Sequence, residues 1–152
     1  MATAMLSGVT ARPGAPPVVI CDPNPEVRAR HEALGRETIA SLSELREVQV
    51  AVLAFKPQHF QGAIDALKAA LAGDALVISV MVGISTTTIA DALPGVRIVR
   101  TMPNTPMAVG EGMTGVATGI GASEADVALA TFICESSGQV LQVEESQIDD
   151  IA

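Results

Sequence analysis

Two prolines, an asparagine and two threonines stand within Arg100-Thr101-Met102-Pro103-Asn104-Thr105-Pro106, and Gly110-Glu111-Gly112-Met113-Thr114 follows shortly after. An amide, hydroxyls, glycines and a carboxylate are thus packed into one turn-rich segment. It follows an apolar run, Val96 to Val99, that reads as a strand. Each proline fixes its own φ and pushes the residue before it toward an extended shape. The expectation is a stiff loop at a strand end, which is where ligands sit in an open α/β sheet. Pro-Asn-Thr-Pro is also ordinary turn chemistry, and the residues alone leave both readings open.

Three more groups fall at predicted strand ends. Asp22 follows Val18–Cys21, where a carboxylate can meet an adenosine ribose or simply cap the next helix. Phe55-Lys56-Pro57 follows a third strand, and Lys56 suits a phosphate, a ribose hydroxyl or plain solvation. Val82-Gly83-Ile84 follows a fourth, where Gly83 removes a Cβ from the path of a flat ring or serves a turn. With Met102–Pro106 these ends would form one ledge. His31 and His59 have no partners at ligand spacing, so no metal site is expected. Ser79, Ser85 and Thr101 have no evident histidine partner, and no Gly-x-Ser-x-Gly elbow is present. Glu144-Glu145 and Asp149-Asp150 read as solvated helix faces. No Gly-x-Gly-x-x-Gly both follows an expected strand and opens a helix.

The elements that must position these groups alternate. Helix is expected over Met1–Ala11, strand over Val18–Cys21, and helix from Pro25 to Leu34, capped by Asp22 or Asn24 and stopped by Gly35. A short strand is expected over Glu37–Ala40, a turn capped by Ser41 or Ser43, and a strand over Val48–Ala54. Phe60, Ile64, Leu67 and Leu71 recur at helical spacing up to the break at Gly73-Asp74. Strands Ala75–Val82 and Val96–Val99 flank a helix over Thr86–Leu93 capped by Ser85. Strand Met113–Ala117, helix Ser123–Glu135, strand Gln139–Val143 and helix Glu144–Ala152 complete the chain. This order predicts an α/β fold with a doubly wound, mostly parallel sheet.

The 152 residues suffice for one domain with a core. Hydrophobic residues make up 49% and aromatics only 2%, so Val, Ile, Leu, Ala and Met must fill that core. A net charge of −8 and the dearth of stacking aromatics argue against nucleic acid. An anionic cofactor would have to be held locally, by backbone amides and helix starts. Cys21 and Cys134 are far apart, each in an apolar run, and fit buried reduced thiols of a cytoplasmic protein. No apolar run approaches a membrane span, and the start lacks the pattern of a signal peptide.

Beyond this, the chain resembles pyrroline-5-carboxylate reductases. Met1–Gly8 is similar to the helix after that family's glycine loop, and Asp22-Pro23-Asn24-Pro25-Glu26 to the segment closing its second strand. Val52-Leu53-Ala54-Phe55-Lys56-Pro57-Gln58 looks like its Leu-Ala-Val-Lys-Pro-Gln. Val77-Ile78-Ser79, Gly83-Ile84-Ser85 and the two motifs of the opening paragraph match in order. The resemblance implies a Rossmann-like fold and NADPH- or NADH-dependent reduction of pyrroline-5-carboxylate to proline, in a family whose full-length members are homo-oligomers. It implies that Ala54, Phe55, Lys56 and Pro57 contact the pyrophosphate and nicotinamide-side ribose. Val82 and Gly83 would floor the nicotinamide, Asn104 and Thr105 would line the meeting of the rings, and Asp22 and Ser41 would lie near the adenosine ribose.

The match departs from the family in three places. The family's first strand and Gly-x-Gly-Asn turn would precede Met1. Its Ser-Gly-Ser-Gly-Pro-Ala segment and helical dimerisation domain, where the catalytic residues are expected, would follow Ala152. Met81-Val82 stands where two small residues are usual. Residues 1–152 are therefore expected to be an incomplete dinucleotide-binding domain, inactive alone. A non-catalytic nucleotide-binding or interaction module, or a related imine reductase or deazaflavin reductase, is the alternative.

Overall fold

A computed structural model describes residues 2–104, 112–136 and 138–151. Helix α1 (Ala2–Thr10) precedes β1 (Val19–Cys21), α2 (Pro25–Glu32) and β2 (Glu37–Ile39). A 3-10 turn at Leu42–Glu44 leads into β3 (Val48–Leu53), and a second at Pro57–His59 opens α3 (Phe60–Ala70). Then come β4 (Leu71–Ser79), α4 (Thr86–Ala92), β5 (Arg97–Pro103), β6 (Gly112–Thr118), α5 (Glu124–Glu135) and β7 (Gly138–Gln142). A 3-10 segment over Glu145–Ile151 closes the order.

The strands form a five-stranded sheet, β3-β4-β5-β6-β7, and a separate pair, β1-β2. All pairings are parallel except β5 with β6. β4 is central, and Ala75 to Ser79 are buried on both faces, as a β-branched, apolar run allows. Under α3 and α4 lie Phe60, Leu67, Val77, Met81, Ile89, Leu93 and Ile98. Under α5 lie Leu76, Ile78, Val99, Val116 and Ala130, and Met5 of α1 joins Val80 and Cys134 beside them. Helices on both faces of a mostly parallel sheet make the doubly wound, Rossmann-like fold.

The caps explain the boundaries. Asn24, not Asp22, caps α2, its side chain accepting from the Glu26 amide, with Pro25 in the first turn. Ser41 and Glu44 form a capping box around Leu42–Glu44. Ser85 caps α4, and Ser123 with Asp126 caps α5. Arg97 donates to Asp126 at 2.6 Å, tying β5 to the start of α5.

Several expected boundaries move. α3 stops at Ala70, before the Gly73-Asp74 break, because Leu71 is already extended and pairs with Val48. β4 ends at Ser79, so Val80 to Val82 lie beyond the ladder. β5 runs on through Arg100 to Pro103, in antiparallel register with Thr114 to Ala117. The first half of the expected stiff loop is thus strand, because β6 returns to pair with it. The last helix is a 3-10 segment.

β3 and β1 each have one side with no strand partner among the described residues. A parallel ladder turns alternate residues' amides and carbonyls to opposite edges. Leu53 C=O accepts from Val80 N–H at 3.2 Å, so Ala51 and Leu53 serve β4 and the backbone of Val50 and Val52 faces the open side. Asp22 N–H donates to Ile39 C=O at 3.1 Å, which likewise leaves Val19 and Cys21 facing away from β2. Val50 and Val52 are each 40% exposed, unusual for valines in an α/β sheet.

Candidate dinucleotide site

Register fixes which predicted site residues meet. Leu53 pairs with Ser79, and Ser79 with Arg100, so β3, β4 and β5 point the same way and lie level. The chain beyond them delivers Ala54-Phe55-Lys56-Pro57, Val82-Gly83 and Asn104 to a single edge of the five-stranded sheet. Asp22 and Ser41 close the ends of β1 and β2 instead, in the separate pair. Thr105 and residues 106–111 lie outside the described residues.

Along the edge, the ends differ in chemistry. Lys56 is exposed, precedes the 3-10 turn at Pro57, and has no ion-pair partner among the described residues. Ala54 is exposed, while Phe55 is half-buried against the α3–α4 core. Gly83 takes φ +72°, and a Cβ there would meet nothing within 4 Å. The glycine is therefore required by its backbone, and the space above it is open. Val82 is 52% exposed beside it, while Met81 is 1% exposed and points into the core. Of the two residues that depart in bulk from the family pattern, only Val82 fronts the site.

Asn104 holds the base of the segment that follows β5. Its amide N–H donates to Met113 C=O at 3.1 Å, and its side-chain oxygen accepts from Met113 N–H at 2.9 Å. Asp22 Oδ1 accepts from Asn24 N–H at 2.8 Å, and its carbonyl accepts from Arg28 at 2.7 Å. Asp22 is half-buried, with Ser41 exposed near it across the β1–β2 ends. The Cys21 thiol beside them is pushed up by burial and by the negative charges of Asp22 and Glu44. Both cysteines are free. No cluster of metal-ligating side chains occurs among the described residues, and no helix there is long and apolar enough to cross a membrane.

Glu145 and Asp149 are only partly solvated, with side chains 31% and 47% exposed, because both also make contacts within the chain. Glu145 Oε1 accepts from Thr86 N–H at 2.6 Å, and Oε2 from the Thr86 hydroxyl at 2.7 Å. Asp149 Oδ1 accepts from Arg100 at 2.5 Å and from Gly83 N–H at 3.4 Å. Both carboxylates thus reach the end of β4 from the closing segment. The sequence carried no local signal for these contacts, because Gly83, Thr86 and Arg100 are all remote from the closing segment in the chain.

The family described as "NADP oxidoreductase coenzyme F420-dependent" matches residues 1–83. Pyrroline-5-carboxylate reductase of Arabidopsis thaliana is 31% identical over 99% of this chain and 56% of its own length. That of Methanosarcina acetivorans is 37% identical over 70% of this chain and 40% of its own. The chain spans about half the length of the curated relatives it matches. The pyrroline-5-carboxylate reductase structure from Coxiella burnetii superposes on 99% of this chain and 58% of its own, with a TM-score of 0.88 at 31% identity. The Plasmodium falciparum pyrroline carboxylate reductase with NADP bound shares the fold, with a TM-score of 0.80 at 22% identity. With its doubly wound sheet and this match over more than half its length, the chain belongs to the coenzyme F420-dependent NADP oxidoreductase family.

Proposed function

We propose that the chain is the dinucleotide-binding part of a pyrroline-5-carboxylate reductase, which moves a hydride from NADPH or NADH to the imine carbon of pyrroline-5-carboxylate to yield proline. The observation that carries this reading is the likeness to the Coxiella burnetii reductase, 31% identical across 99% of this chain. The ends of β3 and β4, level with Arg100 of β5, support it, since adjacent parallel strand ends offer a place for a nicotinamide dinucleotide.

In this reading Ala54, Phe55, Lys56 and Pro57 meet the pyrophosphate and the nicotinamide-side ribose, with Lys56 the cation. Val82 and Gly83 floor the nicotinamide, and Asn104 and Thr105 line the substrate side. Asp22 and Ser41 take the adenosine ribose. The cofactor supplies the hydride; the residues here orient the ring and limit water around it. The unpaired backbone of Val50 and Val52 on one piece of sheet, and of Val19 and Cys21 on the other, supports an incomplete domain. An extended strand ending in a glycine turn would pair with both edges and add amides for the pyrophosphate. Acid and base groups and the oligomer contacts then belong to a further helical domain, and the location is cytoplasmic. The family's deazaflavin chemistry is the second reading, favoured by the description of the matching family.

Titration of the isotopically labelled chain with NADPH tests the proposal. Amide signals of Lys56, Gly83 and Asn104 shift together, with weak affinity, and turnover of pyrroline-5-carboxylate by the chain alone is negligible. No shift at these amides under saturating NADPH would end the cofactor reading. Turnover near that of a full-length reductase would end the claim of incompleteness. In a chain extended by the strand and glycine turn, Asp22→Ser raises the preference for NADPH, because it removes a carboxylate that accepts from a 2′-hydroxyl and repels a 2′-phosphate.

A further inference from the structure

We infer that Arg100 is a positioning residue which, through Asp149 and Glu145, sets the shape of the turn at Val82–Ile84 for the cofactor ring. The inference rests on the reading above for the role of that turn. Arg100 lies on β5 with its side chain 3% exposed. Its Nη2 donates to Asp149 Oδ1 at 2.5 Å, and its Nη1 is 3.8 Å from Glu145 Oε1. Its Nε is buried with no hydrogen-bond partner among the described residues. The charge of a guanidinium this deeply buried must be balanced by acids held in place.

Neither acid belongs to Arg100 alone. Asp149 shares one oxygen between Arg100 and the Gly83 amide. Glu145 uses both oxygens on Thr86, amide and hydroxyl, and so stands just short of hydrogen-bonding distance from the guanidinium. Ile148, fully buried against Met102 and Ala117, pins the segment between the two acids. The chain of contacts therefore runs from β5, through the closing 3-10 segment, to the amides on either side of Ile84. In a molecule of net charge −8, two carboxylates four residues apart would turn to solvent without a buried cation between them. Arg100 prevents that, and Asp149 in turn holds the amide of Gly83, whose φ is positive.

Amide exchange and ligand titration on the whole chain test this, with Asp149→Asn, Glu145→Gln and Arg100→Lys. In the ligand-free Asn and Gln variants, exchange at Gly83 and Thr86 respectively quickens about tenfold, the effect of replacing a carboxylate acceptor by a neutral amide oxygen that no longer pairs with Arg100. Val77 and Ile78 keep their protection. Affinity for NADPH falls about tenfold, whereas affinity for 2′-phospho-ADP-ribose, which lacks the nicotinamide, stays within about twofold. Arg100→Lys retains the charge and falls between wild type and the other two. Unchanged exchange at both amides overturns the inference, as does equal weakening of the two ligands, which marks general loosening. If wild-type Gly83 ignores NADPH, the cofactor reading falls, and the exchange data alone still decide whether the clamp exists.

Discussion

Gly83 and Gly119 are both glycines of necessity, for opposite reasons. Gly83 has φ +72° and open space where a Cβ would stand. Gly119 is not left-handed, but a Cβ there would lie 2.5 Å from Ile98 O and 2.6 Å from Thr86 Cγ2. Gly83→Ala therefore incurs only the backbone penalty of the left-handed region, about 1 kcal/mol. Gly119→Ala must push a strand carbonyl and a helix start apart, at a cost of about 1–3 kcal/mol. Denaturant unfolding of both variants should rank them in that order. Cys134 is the other residue with a sharp expectation. Burial pushes its thiol from 9.0 up to about 12, with Glu135 adding to the rise and a hydrogen bond with Thr101 opposing it. The folded state thus keeps a proton that the unfolded chain gives up. The stabilisation is complete below pH 9, and it drains away as pH climbs from about 9 to about 12. A pH series of unfolding midpoints should show that decline, and it should be absent in Cys134→Ala. Native Cys134 should also resist alkylation at pH 8 until the chain unfolds.

At the scale of elements, the Arg97–Asp126 contact joins a strand to a helix start. Burial raises the Asp126 carboxyl, but hydrogen bonds from the Ser123 amide and hydroxyl, with the Arg97 charge, outweigh it and the net shift is downward. Its contribution is present above 3.8 and is lost as pH falls through the lower folded value. Asp126→Asn should cost about 1 kcal/mol at neutral pH, and should flatten the acid limb of the stability profile. Here the helix start at Ser123 was legible, while the role of Asp126 and its contact with Arg97, remote in the chain, were not. The ends of strands were not legible either. Nothing local in Arg100-Thr101-Met102-Pro103 says strand rather than loop, because the partner that makes it strand returns only at Gly112. For the same reason Leu71 read as the last turn of a helix, its helical spacing correct and its pairing with Val48 invisible. Broken pairing makes its own forecast. The amides of Val50 and Val52 face no partner strand among the described residues, while those of Val77 and Ile78 sit in the middle of the sheet. Hydrogen exchange should find the first pair labile and the second the slowest in the chain.

For the whole molecule, charge and site pull in opposite directions. Alternation of elements made the doubly wound sheet legible without coordinates, while the expected ledge of four strand ends is only partly assembled, since Asp22 lies in the separate β1-β2 pair. The acids that buttress the ledge were not legible, since Glu145 and Asp149 come from a segment remote in sequence from Gly83 and Thr86. They place two of the carboxylates that make up the net charge of −8 beside the turn assigned to the nicotinamide, with Arg100 offsetting part of that charge. Lys56 is the cation assigned to the pyrophosphate, and a single exposed lysine cannot reverse the field of the rest. Long-range repulsion should therefore slow and weaken the approach of a dinucleotide at low ionic strength, where charges are felt over about 30 Å, and fade near 0.15 M, where the range is about 8 Å. NADPH affinity should consequently rise by about two- to fivefold between 0.01 M and 0.15 M salt, measured by calorimetry at constant pH. NADH, without the 2′-phosphate, should show a smaller rise. A steep fall with salt for both ligands would mean that cations dominate the site, and would shift the argument from backbone amides to Lys56 and its neighbours. Lys56→Met separates these outcomes. If amides and the open face of Gly83 supply most of the binding, the variant loses a few-fold in affinity and keeps the upward salt trend.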